Sequence, residues 1–166
     1  MTRLLAYIIC LYVNFSCIAL AQSADTFKTF THSNAPTEIK VFSEESISLG
    51  SKLEYIEDPD NTLSLADVRS LESHAWMKSD SETPNFGYTD SSYWLRFRLN
   101  NQITCCGAVQ ENKIIAVKYA LLDHIEYYEI IDGQIFRSTV TGDIYPFSQR
   151  PLRHRDFLFP ISFEFD

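Results

Sequence analysis

Trp94 and Arg96 are the residues whose types and spacing best fit the binding of a small ligand. They lie two positions apart in Tyr93–Asn100, where apolar and polar residues alternate, and alternate residues of a strand share one face. An indole offers a flat apolar surface and a guanidinium offers paired donors, which suits sugar rings or carboxylates. The pattern predicts a half-exposed binding face, unless Trp94 packs under a loop and Arg96 pairs with an acidic turn.

A basic segment from Tyr145 to Arg155 is predicted to close over this face. Its guanidinium groups would suit an anionic or hydroxyl-rich small molecule. The alternative is that Arg150 and Asp143 hold the turn at Gly142 against the edge of the sheet. The predicted ligand-binding residues are Trp94, Arg96, Asp143, Arg150, Arg153 and Arg155.

Other chemistry has little support in the sequence. The five glycines are too scattered for a phosphate-binding loop or a nucleophile elbow. The four histidines, at positions 32, 74, 124 and 154, are also scattered, and surface or partly buried roles are expected for them. Glu57, Asp58 and Asp60 are interpreted as a solvated turn, because calcium-loop spacing is absent. No catalytic residue, metal or cofactor is predicted.

The first 21 residues are predicted to be a secretory signal peptide. Arg3 precedes an apolar run from Leu4 to Leu20, and the small residue Ala21 offers a cleavage site, with Ser23 as the second choice. The alternative is an uncleaved membrane anchor, although the run is short for a span of about 20 residues. Cleavage would remove one basic residue and no acid from a chain of formal net charge −8. Such acidity disfavours a nucleic-acid partner.

Two adjacent cysteines, Cys105 and Cys106, would remain after cleavage. Their α-carbons are expected about 3.8 Å apart, below the usual disulfide span. Free thiols, pairing with another chain and a strained vicinal bridge all stay open.

The remaining elements are mostly strands. Residues 22–45 are interpreted as a linker with one edge strand, and residues 46–166 as the domain. Ser64 and Asp67 predict the start of one short helix, and Asp132-Gly133 predicts a hairpin turn. Further strands are predicted near residues 47–56, 113–119, 122–131 and 156–165. This pattern favours an all-β jelly-roll sandwich, with a barrel as the alternative. Because the last strand pattern is still running at Asp166, a longer parent protein is expected.

Several of these stretches occur in the order of a known family. They are Leu49-Gly50, Leu53 to Asp58, Leu63 to Val68, Phe86-Gly87-Tyr88, Tyr93 to Phe97, Leu122 to Tyr128, Thr141-Gly142-Asp143, Pro146-Phe147, Arg150, and Phe157 to Pro160. Residues 47 to 165 thereby resemble the type 2 extracellular sensor domain of bacterial seven-transmembrane receptors with diverse intracellular signalling modules. The resemblance implies a jelly roll similar to carbohydrate-binding modules, outside the inner membrane. It also implies seven membrane helices and a cytoplasmic output, such as a diguanylate cyclase or histidine kinase, in the intact receptor. The adjacent cysteines depart from the family pattern.

Three functional hypotheses follow from these features. The first is a periplasmic ligand-sensing domain, with a small molecule or carbohydrate and the receptor's membrane helices as partners. The second is a free-standing secreted carbohydrate-binding domain. The third, a hydrolase, rests only on abundant carboxylates, and the chain itself is not expected to be an enzyme.

Overall fold

Strands dominate the computed structural model, which describes residues 6–12, 36, 38–42, 46–101 and 111–163. One α-helix of more than one turn is found in these ranges, α1 (Leu65–Ser70). The strands are β1 (Ala6–Tyr12), β2 (Glu38–Val41), β3 (Glu54–Asp58), β4 (Met77–Lys78), β5 (Ser92–Asn101), β6 (Glu111–Val117), β7 (His124–Ile131), β8 (Gln134–Thr141) and β9 (Phe157–Phe163).

The strands form two sheets. The larger has the order β4-β3-β5-β1-β7-β8, and β2 pairs in parallel with the end of β5. The smaller contains the antiparallel pair β6 and β9. Side chains from both sheets share one buried core, so the molecule is a β-sandwich. The predicted all-β class with one short helix is confirmed, and the jelly-roll connection stays a prediction.

The alternation in β5 has the predicted effect on the core. Tyr93, Leu95, Phe97 and Leu99 all lie in the core between the sheets. They meet Phe157, Phe159 and Ile161 of β9 there. The apolar face predicted for this strand is confirmed.

The opposite face of β5 is covered as well. Val68 of α1 and Trp76 pack on Ile56 and Trp94, and form a second buried cluster. The predicted helix start is confirmed, because the Ser64 side chain accepts a hydrogen bond from the Asp67 amide and the Asp67 carboxylate accepts one from the Ser64 amide. This capping box fixes the helix that covers the sheet.

The hairpin between β7 and β8 turns at the predicted dipeptide. Asp132 has a φ of 49° and Gly133 a φ of 79°, as a type I′ turn requires. A register shift between Glu129 and Ile130 interrupts the pairing with β8. The hairpin prediction is confirmed.

Other expectations are corrected. Ser46–Leu49, predicted as part of a strand, has no regular secondary structure. Asp58 is 2% exposed and accepts hydrogen bonds from the amides of Thr62 and Leu63, so it is not a solvated residue. Ile39 and Val41 of β2, assigned to the linker, lie in the main core. Cys105 and Cys106 lie outside the described residues.

The strand β1 uses residues that the sequence assigns to the signal peptide. It lies between β5 and β7 and runs antiparallel to both. Cleavage of the leader stays a prediction, and it would remove the strand that pairs with both β5 and β7.

Candidate functional site

Trp94 and Arg96 lie on the predicted face of β5, but that face is closed. Trp94 is 2% exposed and Arg96 is 6% exposed. The reason is the packing of α1 and Trp76 over this part of the sheet, which the alternation within one strand does not reveal. The expected half-exposed platform is therefore wrong, and the alternative in which Trp94 packs under neighbouring chain is the arrangement found.

Arg96 is held by an acid and an aromatic ring. Its Nε donates to Glu54 Oε2 at 2.8 Å, and its Nη2 lies 2.8 Å from the same oxygen. Its guanidinium carbon is 4.0 Å from the centre of the Trp76 ring. Burial lowers the pKa of Arg96 from its ordinary value, while the hydrogen bond and charge of Glu54 act in the opposite direction. These contacts join β5, β3 and the segment after α1.

The basic segment is organised around Arg150. Its Nη1 donates to the carbonyls of His154 and Arg155, and its guanidinium carbon is 4.2 Å from the centre of the Phe157 ring. Arg153 and Asp143 are exposed, and the Arg155 side chain is 85% exposed. The structure thus places Arg150 inside its own loop and leaves Asp143, Arg153 and Arg155 at the surface.

A polar chain that was not predicted lies beside this segment. It runs from Tyr145 through His124 and Glu126 to Tyr128. Tyr145 lies in the loop after β8, and the other three occupy alternate positions of β7, which places them on one face. The two-residue spacing of His124, Glu126 and Tyr128 was visible in the sequence, but the contact with Tyr145 was not.

Glu126 sets the direction of the hydrogen bonds in the polar chain, because its carboxylate can only accept. Tyr128 donates its hydroxyl to Glu126 Oε2 at 2.5 Å, and His124 Nε2 lies 3.1 Å from Glu126 Oε1. A carboxylate only accepts, so the contact with Glu126 assigns a proton to Nε2, and the Tyr145 hydroxyl lies 2.6 Å from Nδ1 on the other side of the ring. The side chains of His124 and Glu126 are 20% and 27% exposed, so small molecules in solvent can reach them.

The pKa shifts in the polar chain favour ligand binding over nucleophilic catalysis. The hydrogen bond from His124 lowers the pKa of Glu126, and the bond from Tyr128 adds to the effect. Burial raises the pKa of the Tyr145 phenol, and the nearby charge of Glu126 raises it further. The contacts from a tyrosine hydroxyl to a histidine and on to a carboxylate resemble those of a hydrolytic triad. A tyrosine whose pKa is raised is, however, a poor nucleophile at neutral pH. The polar chain can form hydrogen bonds with a polar ligand.

A groove also lies at the surface of the described residues. An open groove of about 620 Å³ is lined by Glu38, Ile39, Lys40, Ser46, Ile47, Ser48 and Lys52. The ammonium group of Lys52 donates to the Ser48 carbonyl at 3.0 Å within it. No three His, Cys, Asp or Glu side chains in the described ranges are grouped to hold a metal ion.

Replacing Glu126 by glutamine is expected to destabilise the domain by about 1.5–3 kcal/mol at pH 7, because two hydrogen bonds lose their charged acceptor. The lowered pKa means that this stabilisation is present above the ordinary value of 4.5 and is lost as the pH falls through the folded-state value. Urea unfolding of wild type and Glu126→Gln at pH 7 and through the acid range measures both effects.

The matched control for this change is Tyr128→Phe, which keeps the carboxylate and removes one donor. It should lose about 1 kcal/mol and keep most of the acid dependence of wild type, because the hydrogen bond from His124, the larger cause of the lowered Glu126 pKa, remains. Equal stability of Glu126→Gln and wild type at pH 7 would show that the polar chain does not stabilise the fold.

Comparison with known proteins gives one clear relation. The family described as 7TMR-DISM extracellular 2 matches residues 50–166, which include β3 to β9 and the polar chain. No curated protein and no solved structure matches the chain. Among the helices in the described ranges, none has the length and apolar character needed to cross a membrane. The match covers most of the chain, which therefore belongs to the 7TMR-DISM extracellular 2 family of sensor domains.

Proposed function

We propose that this chain is the periplasmic ligand-sensing part of a bacterial transmembrane signalling receptor. It binds a small molecule or carbohydrate and passes the signal to membrane helices of the same receptor. The observation that carries this proposal is the family match over residues 50–166. The family consists of extracellular sensor domains, which supports an exported location and a role without catalysis.

The surface proposed for the ligand combines the polar chain on β7 with the loop after β8. His124 and Glu126 are partly exposed there, and Tyr145 belongs to the same loop as Arg153 and Arg155. Tyrosine and histidine rings with a carboxylate can bind several hydroxyl groups, and the exposed guanidinium groups favour a ligand that also carries a negative charge. Trp94 and Arg96 support the sheet beneath and do not contact the ligand, because both are buried.

Calorimetry with neutral sugars and uronic acids tests the ligand class. Tyr145→Phe removes the hydroxyl that contacts His124 and is expected to weaken binding about tenfold, the equivalent of one hydrogen bond. Tyr119→Phe is the matched control, because this tyrosine is 59% exposed and lies in the connection between β6 and β7. Equal loss in both variants, or no binding of any sugar by wild type, would remove the support for a carbohydrate ligand at this surface.

The sequence of the gene beyond Asp166 tests whether this domain belongs to a transmembrane receptor. Seven apolar segments of about 20 residues should follow Asp166 in the natural reading frame. A natural stop codon with no such segments would contradict the receptor and favour the secreted carbohydrate-binding domain.

A further inference from the structure

The larger sheet contains a position for one extended strand between β5 and β7. In the structure β1 occupies it, with Ala6–Leu11 opposite Tyr93–Arg98 and Tyr7–Tyr12 opposite His124–Glu129. Both pairings are antiparallel. The two halves of the larger sheet are therefore joined through this strand.

An unfilled position would be costly for the fold. Phe97 of β5 is 0% exposed and Tyr127 of β7 is 1% exposed, so both flanking strands lie at the core and not at the rim. Their backbone N–H and C=O groups would lose their partners along this gap, and unpaired backbone groups away from water are destabilising. Two open edges in the middle of a sheet would also pair with other proteins. A strand must therefore occupy the position in a stable domain.

If the proposed function holds, β1 cannot be the strand that occupies this position in the exported receptor. An exported receptor cleaved after Ala21 lacks residues 6–12, although it keeps β5 and β7. The strand has to come from elsewhere in the mature protein.

The direction of β9 indicates the source. The Phe159 ring stacks on Tyr127 with 4.4 Å between centroids, and Arg137, opposite Glu129, donates to the Pro160 carbonyl. β9 therefore passes over β7 in the same direction and ends near the β7–β8 hairpin. That is the end of the sheet at which Ala6 and Tyr7 enter the position between β5 and β7. A chain that turns back after β9 would enter it in the direction of β1.

We propose that, in the exported receptor, the segment connecting this domain to the membrane helices supplies the strand between β5 and β7. This inference rests on the proposed function. Its residues should be apolar at every second position, because one face of the strand borders the core between the sheets. Ligand binding on the neighbouring β7 face would then act on the strand that leads to the membrane.

Hydrogen exchange of the exported receptor tests this assignment without any substitution. Intact mass first establishes whether residues 1–21 are gone. In the cleaved receptor, those amides of residues 93–98 and 124–129 that point between β5 and β7, and not toward β3 or β8, are expected to exchange at least about a hundredfold more slowly than amides of the loop at 79–85, together with a protected segment after Asp166. Fast exchange at both strands, or their protection by retained residues 6–12, would overturn the proposal.

A cysteine pair distinguishes a filled position from a closed one. Trp94 and Glu126 lie opposite the same β1 residue, Cys10. With a strand between them, their β-carbons are about 9.5 Å apart and no disulfide forms, whereas direct pairing of β5 and β7 brings them within reach. The variant Trp94→Cys/Glu126→Cys, with Cys105 and Cys106 changed to serine, should therefore stay reduced wherever its circular dichroism shows the wild-type fold, and rapid oxidation of the folded variant would overturn the proposal; because Trp94 is buried, hydrogen exchange of the unsubstituted receptor decides if the variant does not fold. If membrane helices follow Asp166 and the strand comes from elsewhere, this inference fails while the proposed function stands.

Discussion

Replacing Phe97 by alanine is expected to lower the free energy of unfolding by about 3–5 kcal/mol. The side chain is 0% exposed and lies near the middle of β5, in the core shared by both sheets. Its removal loses the burial of an aromatic ring and leaves a cavity that β-strands on both sides hold open. Since domains of this size are stable by about 5–15 kcal/mol, a large part of the total would be lost.

Urea or thermal unfolding of the two proteins measures this difference. Phe136→Ala is the matched control, because Phe136 is 55% exposed on β8, and its loss should be less than about 1 kcal/mol. A change at Phe97 as small as that at Phe136 would contradict the assignment of the core face.

The core face of β5 could be predicted from the sequence because it depends on a local rule. Alternate side chains of any strand share a face, and an apolar face has to be buried. The capping box at Ser64 and the turn at Asp132-Gly133 follow from equally local chemistry and are also confirmed. Each involves residues at most a few positions apart.

The exposure of the other face could not be predicted in the same way. Trp94 is buried because α1 and Trp76 pack over it, and the packing of a separate element is not encoded in the alternation of β5. The alternation predicts a half-exposed face, with pairing of Arg96 to an acidic turn as the alternative, and Arg96 is buried with Glu54 of β3 and Trp76 as partners. A charged residue on the polar face of a strand is therefore not necessarily exposed. It can also be buried if other side chains pair with its charge.

The polar chain was missed for a related reason. His124, Glu126 and Tyr128 repeat at two-residue spacing on β7, which a search for polar faces would have found. Their contact with Tyr145 depends on the return of the loop after Gly142, where the Asp143 amide donates to the Leu122 carbonyl at 2.7 Å. The position of β1 depends likewise on pairing between distant residues.

Replacing Arg137 by methionine is expected to destabilise the domain by about 3 kcal/mol, because it leaves a buried carboxylate without its countercharge. Glu129 is 0% exposed, and its Oε2 lies 3.5 Å from Nη1 of Arg137 on the neighbouring strand. The same Nη1 donates to the Pro160 carbonyl of β9 at 2.5 Å, so one guanidinium joins the two sheets. The low end of the range for broken buried pairs applies, since the Arg137 side chain is 39% exposed.

Comparison with Glu129→Gln separates the charge from the packing. Chemical unfolding at pH 7 of the two single variants and the double variant gives the coupling between them. If the buried charge causes the loss, Glu129→Gln should restore most of the stability of Arg137→Met. If the double variant is as unstable as the sum of the single ones, the loss comes from the contacts of Arg137 with β9 instead.

The same pair predicts how stability depends on pH. Burial raises the pKa of Glu129 above its ordinary value of 4.5, and the charge of Arg137 only partly opposes this. Between the ordinary and the folded-state values the native protein holds more protons at this site than the unfolded chain, so stability from this group falls as the pH rises. Below 4.5 both states are protonated and the contribution is fully present. Unfolding measured from pH 4 to 8 should therefore show a decline in wild type that Glu129→Gln lacks and Arg137→Met makes steeper, and an identical pH profile in all three would place the titration elsewhere.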